Sequence, residues 1–594
     1  MSIRNSASVR RTRGALSSAW KFLPLFTVSL LPSFLSGQST SLQDLLSTGT
    51  GSFLGAGVGT DGASSEIARQ EHDRDFHNSR LPRPSSAPGS AADPVSLSVL
   101  PASPGFGFIG ISHRDQRLAG TGKYANTQFS LEPPDQGFCV GNGYAVEAVN
   151  TALRVYSASS GAPLTGVLAL NQFFGLTPEI NRTTRAYGDF TSDPKCLYDS
   201  GTGRFFLTIL QVDVDPSTGN FTGPSSVRIA VSQTSDPTGN WNLFKLDTTD
   251  DGTNGTMKNA NCPCLGDQPL IGLNDDGFFI STNEFPQFTA GFNGAQVYGV
   301  TKERLLGNSG NLSKVVHINV GSIPAPDGGV WYSLQPANAP PNAPAGKGQL
   351  KNTEFFVSAL DFTGTLDNRV AVWGLTNSSA LASGTPNAIN FDYTLVSSET
   401  YGQPPNARQK PGPGNFQPQL LNTNDDRMNQ VVYANGNLYS AVNTVLGSGP
   451  TLRAGIAYFV IAPSIQGHRV SASMTNQGYV SVAGGDVFYP SIGVNNIGKG
   501  VMGFTLSGPQ RYPSSAFATV SASAAAGPVT VSHEGVAPED GFTALFANGV
   551  SRWGDYSASY ADEHGDIWIA TESIPSTSRT FLANWGTYIN RVTP

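Results

Sequence analysis

Residues 266–284 read G-D-Q-P-L-I-G-L-N-D-D-G-F-F-I-S-T-N-E. Leu270–Leu273 is a short apolar run, Asn274-Asp275-Asp276-Gly277 is a tight-turn cluster, and Phe278–Asn283 is a second run rich in aromatic and β-branched residues. Two such runs around a turn ending in Gly predict a β-hairpin. The unit recurs: Asp193 stands ten residues before Gly203, Asp267 before Gly277, Asp426 before Gly436, and Asp555 before Gly565. Asp135/Gly143 is a shorter copy and Asp486/Gly498 a longer one. A hydrophobic strand follows each Gly, as in Tyr144–Asn150, Phe205–Gln211, Leu438–Asn443 and Ile567–Glu572.

Composition agrees with a turn-rich all-β chain. Of 594 residues only 13% are charged, 67 are Gly and 40 are Pro, and no long amphipathic helical pattern appears. The net charge of −7 is scattered along the chain, which excludes the basic face that nucleic acid requires. Units of about 55–80 residues with four short strands each are propeller blades. The copies predict a single β-propeller over residues 106–594, seven-bladed, with six and eight as the alternatives. The last copy shows three strands near the C-terminus, so Phe106–Ile111 is the expected donor of the fourth, closing the ring.

The N-terminal part is different in kind. Arg4, Arg10, Arg11, Arg13 and Lys21 precede an apolar run, Phe22–Leu35, that ends in Ser36-Gly37. This is the layout of a secretory signal peptide over residues 1–37, and the run, broken by Pro24 and Pro32, is shorter than a membrane span. Residues 38–105, rich in Ser, Gly, Ala and Pro, read as a low-complexity, disordered spacer. The expected location is secreted, extracellular or associated with the cell envelope, with no membrane span once the signal is removed, and the expected state is a monomer.

Export makes the four cysteines, Cys139, Cys196, Cys262 and Cys264, disulfide candidates. Cys139 and Cys196 fall on the first strands of consecutive repeats, but four cysteines allow three pairings and the sequence does not choose. Zinc is the weaker reading, because no His lies at ligand spacing.

The hairpins also carry a functional expectation. Each Asp opens a first strand and a polar residue closes the second, so both lie at one end of the hairpin. Asp135, Asp193, Asp267, Asp426, Asp486 and Asp555 then gather around one channel mouth. Asn150, Gln211, Glu284, Asp361, Asn443, Ser507 and Glu572 form a second polar set on that face. Carboxylates and amide oxygens suit hard cations and sugar hydroxyls. The candidate ligand-binding residues are Asp135, Asp193, Asp267, Glu284, Asp426, Asp555 and Glu572, for an extracellular glycan or protein ligand. No cofactor is expected, and Ca²⁺ is the ion such a mouth would suit. The competing structural reading is that each Asp accepts backbone hydrogen bonds at a strand start. No G-x-S-x-G elbow, H-E-x-x-H helix or phosphate loop is present. Residues 247–254, D-T-T-D-D-G-T-N, read as an ordinary polar loop rather than a calcium loop.

Arg552-Trp553-Gly554-Asp555-Tyr556-Ser557, with Trp585-Gly586-Thr587 downstream, resembles the closing segment of a group of secreted bacterial β-propeller proteins of uncharacterised activity. Pro134-Asp135, Ser192-Asp193-Pro194 and Gly266-Asp267-Gln268-Pro269 are similar to that group's blade starts, and Val231–Trp241 to one of its turns. The resemblance implies fold and export and supplies no catalytic residues. Ser235–Trp241 is a loose echo of the sialidase Asp-box, and the sialidase arginines and nucleophilic Tyr find no counterpart. Two readings of function follow: a binding or scaffold module, and, as the alternative, a carbohydrate-active enzyme using a pair of mouth carboxylates about 5–10 Å apart.

Overall fold

The computed structural model describes residues 39–57, 90–101, 105–307, 313–342, 352–383, 385–415, 417–545, 549–575 and 579–594. The expected signal peptide lies outside them. Seven groups of four antiparallel strands follow one another in the described residues, blades 2 and 3 being joined through the strand Thr40–Ser52 and blades 4 and 5 by a short parallel pairing of Ala337–Asn338 with Val431–Val432. Their inner strands are Gln136–Gly141, Phe190–Asp199, Cys264–Leu273, Gln335–Asn338, Val431–Ala434, Asp486–Val494 and Ala558–Ala561, for blades 1 to 7. In blade 7 the outermost strand is Gly107–Ser112, which pairs with Gly586–Val592 and so joins the two ends of the propeller. The protein is a seven-bladed β-propeller closed by the predicted donor strand.

Local chemistry sets the hairpins. Asn142-Gly143 and Asn435-Gly436 take φ of 50° and 81°, and 48° and 82°, the paired positive values of a two-residue turn that follows strand twist. The inner strands share a second device. Asp193-Pro194, Gln268-Pro269 and Tyr489-Pro490 each interrupt the ladder, with the first residue at φ of 54°, 47° and 55°. Pro has no N–H to give to a ladder, so it sits at the bulge, which bends the strand as it enters the channel.

Asparagines lock these bends from the neighbouring blade. Asn150 Oδ1 accepts from the Asp193 N–H at 3.1 Å and from Ser192 Oγ at 3.0 Å. Asn283 Oδ1 accepts from the Ser333 N–H at 2.8 Å, and its Nδ2 donates to Ser333 Oγ at 2.9 Å. Asn443 Oδ1 accepts from the Tyr489 N–H at 2.6 Å. Each reaches from the second strand of blade 1, 3 or 5 to a positive-φ residue at the start of the next blade. Asn150 and Asn443 are therefore inter-blade latches, a correction to their placement among ligand-facing residues. Buried donors left unpaired are costly, which is why an amide is used here.

Two segments depart from the sequence reading. Part of the expected spacer is structured: Thr40–Ser52 is a strand inserted between the outer strands of blades 2 and 3, pairing Thr40–Leu45 with Ser313–Ile318 and Leu45–Ser52 with Asn240–Leu246. Leu45, at the crossover, is fully buried. Val99–Leu100 likewise adds to the edge of blade 6. Hydrogen bonding to a ready-made sheet edge orders a Ser/Thr/Gly segment that lacks apolar periodicity of its own. In blade 4 the inner strand is the short Gln335–Asn338, which follows Val330–Leu334. Trp331 there lies in the blade core against Trp373 and Tyr393 at centroid distances of 4.6 and 4.9 Å. Among the described residues no helix is long and apolar enough to cross a membrane.

Disulfides join Cys139 to Cys196 and Cys262 to Cys264. The first ties the inner strands of blades 1 and 2 in the core, and the second closes over a single intervening proline.

Candidate functional site

The R-W-G-D-Y-S segment, immediately before the inner strand of blade 7, organises the channel mouth. Arg552 Nη2 donates to both Asp555 oxygens at 2.9 Å. Trp553 packs beside Phe488 and donates through Nε1 to Thr505 Oγ1. The Gly554 N–H donates to Glu572 at 2.7 Å, the Asp555 N–H to Asp135 Oδ1 at 2.6 Å, and the Tyr556 hydroxyl to the Pro194 carbonyl at 3.0 Å. Blades 7, 1 and 2 thus meet at one point.

Four of the sequence candidates converge there. Asp193 feels the charges of Asp267, Asp135 and Asp555, and Lys195 is the cation shared by Asp193, Asp135 and Asp555. Burial, reinforced by the Asp555 charge, pushes the Asp135 carboxyl up to about 7. Burial and three neighbouring carboxylates raise Asp193 well above the usual range. Desolvation pulls the Lys195 amine down to about 7 against the attraction of Asp193, Asp135 and Asp555. Asp135 Oδ2 is buried with no hydrogen-bond partner among the described residues. Lys195 lies over the Tyr556 ring.

Glu572 lies beside this cluster and feels the Asp135 charge, whereas the remaining candidates stand apart. Asp426 is buried near Tyr401. Asp486 is bound by Arg408 at 2.9 Å and by the Ala454 N–H at 3.1 Å. Glu572 is buried on Gly554. In blade 3, Asp267 pairs across the ladder with Asn283, and Glu284 with Gly266. Successive residues alternate faces, so Glu284 points away from the Asp267 side. Glu284 instead accepts from Asn293 Nδ2 at 2.8 Å and Asn259 Nδ2 at 3.0 Å, and its charge acts on the neighbouring Asp250. Its oxygens and the sulfurs of Cys262 and Cys264 lie within 4.8 Å of one another.

Sequence reasoning missed several participants. Lys195 is two residues beyond the Asp193 that was singled out, on the same face of a strand apart from the bulge, a spacing that could have identified it. Asp250 sits in the polar stretch 247–254, whose pattern gives no sign of its approach to Glu284. Glu132 and Glu539 carried no motif signal; both crowd the same point at Gly541. Burial and the Glu539 charge raise Glu132, while burial pushes Glu539 up to about 7.

Below the acidic mouth the channel narrows to a neck of about 20 Å³ lined by Lys195 and the amides Gln136, Gln335, Asn338, Asn429 and Gln430. At the far ends of the inner strands it opens into a cavity of about 320 Å³. There Lys302 is already paired with Asp199 at 2.9 Å, and Pro340 and Pro341 form part of the wall. Volume favours the far mouth and unbalanced charge the near one. For a small cation, oxygen ligands matter more than room, so the near mouth is the candidate site.

The fold defines the class: a seven-bladed propeller with an acidic mouth at the starts of its inner strands. No family profile matches the sequence, and no curated protein matches it. Similar solved structures include the Trypanosoma rangeli sialidase in complex with sialic acid, with 11% identity, a TM-score of 0.31, and coverage of 68% of this chain and 54% of that one. Phage phi92 endosialidase has 10% identity and a TM-score of 0.33 over 77% and 66%. The Synechocystis apocarotenoid oxygenase, as its Glu150Asp mutant, has 11% identity and a TM-score of 0.32 over 71% and 78%. The chain thus spans about half the length of the first of these. These TM-scores all fall below 0.5, so the fold rests on the strand pairing of the chain itself.

Proposed function

We propose that this protein is an exported β-propeller acting as a binding module, whose acidic mouth takes a divalent cation, with Ca²⁺ the best chemical match, and through it an extracellular glycan or protein ligand. One observation carries the reading: Asp135, Asp193 and Asp555 share Lys195, Asp267 adds its charge beside Asp193, and Arg552 is spent on Asp555. Carboxylates outnumber cations, and one buried carboxylate oxygen has no partner among the described residues. Hard cations select such oxygen sets. The two disulfides and the basic-then-apolar N-terminal pattern support export.

The enzyme alternative has less to stand on. A glycosidase holds two acids across a cavity, whereas Glu132 and Glu539 are buried against one glycine and Glu572 is buried on a backbone amide. A thermal-shift screen against Ca²⁺, Mg²⁺ and a glycan panel, with and without chelator, tests the proposal. A binder of the folded state raises Tm by mass action. A Ca²⁺-dependent rise that disappears in Asp193→Asn supports it, and no cation response sinks it.

A further inference from the structure

We propose that Cys262-Pro263-Cys264 is a thiol–disulfide exchange site that accepts a low-molecular-weight thiol, with the Glu284–Asp250 carboxyl pair handling the proton. The inference stands on a different part of blade 3 and is independent of the cation reading.

The two disulfides have different physical roles. Cys139–Cys196 bridges a sequence separation of 57 and is buried at both ends, so it restrains two blades. Cys262–Cys264 has a separation of 2 and restrains almost nothing that the peptide bonds do not. Cys262 is partly exposed, whereas Cys264 is buried at the start of the inner strand. An incoming thiolate can therefore reach one sulfur and not the other.

The surroundings provide for the electrons and the proton. Cys262 Sγ lies 3.6 Å from Glu284 Oε1 and 3.7 Å from Asn293 Nδ2, and Cys264 Sγ lies 3.5 Å from that same Nδ2. Glu284 lies beside Asp250, whose carboxylate accepts from the Tyr298 hydroxyl at 3.2 Å and lies 3.8 Å from His317 Nδ1. Burial and, for Asp250, the Glu284 charge favour the protonated form, so the pair holds a proton in common. A neutral disulfide gains no stability from two buried acids, but a departing thiolate gains a proton from them.

In the forward step a thiolate attacks Cys262 Sγ, forming a mixed disulfide and breaking the Cys262–Cys264 bond. The bonding pair leaves on Cys264 Sγ, facing the Asn293 amide, and takes the shared proton. A second thiolate then attacks the external sulfur of the mixed disulfide. It releases a small-molecule disulfide and leaves Cys262 as a thiolate that is protonated beside Glu284. Two thiols are oxidised and one protein disulfide is reduced; the reverse sequence, with a small-molecule disulfide, reoxidises the site.

The test incubates the full oxidised chain with reduced glutathione at neutral pH, quenches with an alkylating agent and reads each cysteine peptide by mass spectrometry. Cys262–Cys264 is expected to open at least about tenfold faster than Cys139–Cys196. Incubated with oxidised glutathione in place of reduced, Cys264→Ser is expected to accumulate glutathione on Cys262 with release of one reduced glutathione, and Glu284→Gln is expected to slow opening of the wild-type disulfide by reduced glutathione about tenfold through loss of the proton donor. The proposal is overturned if the wild-type disulfides open together, only on unfolding, or if Cys264→Ser folds but traps no glutathione. The wild-type comparison remains decisive where a variant does not fold.

Discussion

Replacing Asn150 by Ala removes an inter-blade latch and nothing from the ligand mouth itself. The side chain accepts from the Asp193 N–H and Ser192 Oγ and donates to the Pro133 carbonyl. All of these groups are buried. An orphaned buried donor costs roughly 1–3 kcal/mol, and the hydroxyl and carbonyl, with other ways to be satisfied, cost less, for about 3 kcal/mol in total. For a chain of this size the unfolding entropy is on the order of 1 kcal/mol/K, so Tm falls by about 3 °C. Urea unfolding followed by tryptophan fluorescence measures the free energy directly. Asn283→Ala and Asn443→Ala should give losses of the same order, because their amides bond the corresponding N–H groups of Ser333 and Tyr489. The exposed Asn220, replaced by Ala, should stay within about 0.5 kcal/mol of wild type. Losses below about 0.5 kcal/mol at all three latches would refute the reasoning.

Three further outcomes are expected. Cys139→Ser in an otherwise oxidised chain should cost about 4 kcal/mol by the chain-entropy relation, against less than about 2 kcal/mol for opening Cys262–Cys264, as measured by denaturant unfolding. Leu45→Ala should cost about 3 kcal/mol if Thr40–Ser52 is part of the propeller, and nothing if that segment is only a tether. The propeller should also be more stable at pH 6 than at pH 8, read as Tm. Asp135 and Glu539, both pushed up to about 7, contribute stability that is complete below the ordinary carboxylate pKa and lost as pH rises through about 7. Glu132, Asp193 and Glu572, raised well above the usual range, act in the same direction. Lys195, lowered to about 7, opposes them by gaining stability as pH rises above 7, but it is one group against five.

The fold was legible because six of the seven blades repeat the same hairpin chemistry: an Asp, an apolar run, a turn ending in Gly and a second run. The period survives even where single strands are weak, and the missing fourth strand in blade 7 pointed to its donor at Phe106–Ile111. Thr40–Ser52 was not legible, since its order comes from the edges of blades 2 and 3 rather than from its own side chains. The site was legible in part. Strand direction placed Asp135, Asp193, Asp267 and Asp555 at one end, but a hydrogen-bonding amide looks the same in sequence whether it faces a ligand or the next blade. Asn150 and Asn443 were misplaced for that reason, and the strand alternation that turns Glu284 toward Asp250 was not used. Lys195 and the Glu132–Glu539 pair depend on how three blades meet, which no local pattern encodes.

The most direct test of the acidic mouth is a calorimetric titration of Ca²⁺ into the full chain, repeated in buffers of different ionisation enthalpy. Cation binding to carboxyls held partly protonated must release protons, so the apparent heat should change with buffer. That dependence should vanish in Asp193→Asn, a variant that also relieves repulsion and should fold at least as stably. Absence of binding heat, or equal heats and equal proton release in wild type and Asp193→Asn, would contradict a cation site at the mouth.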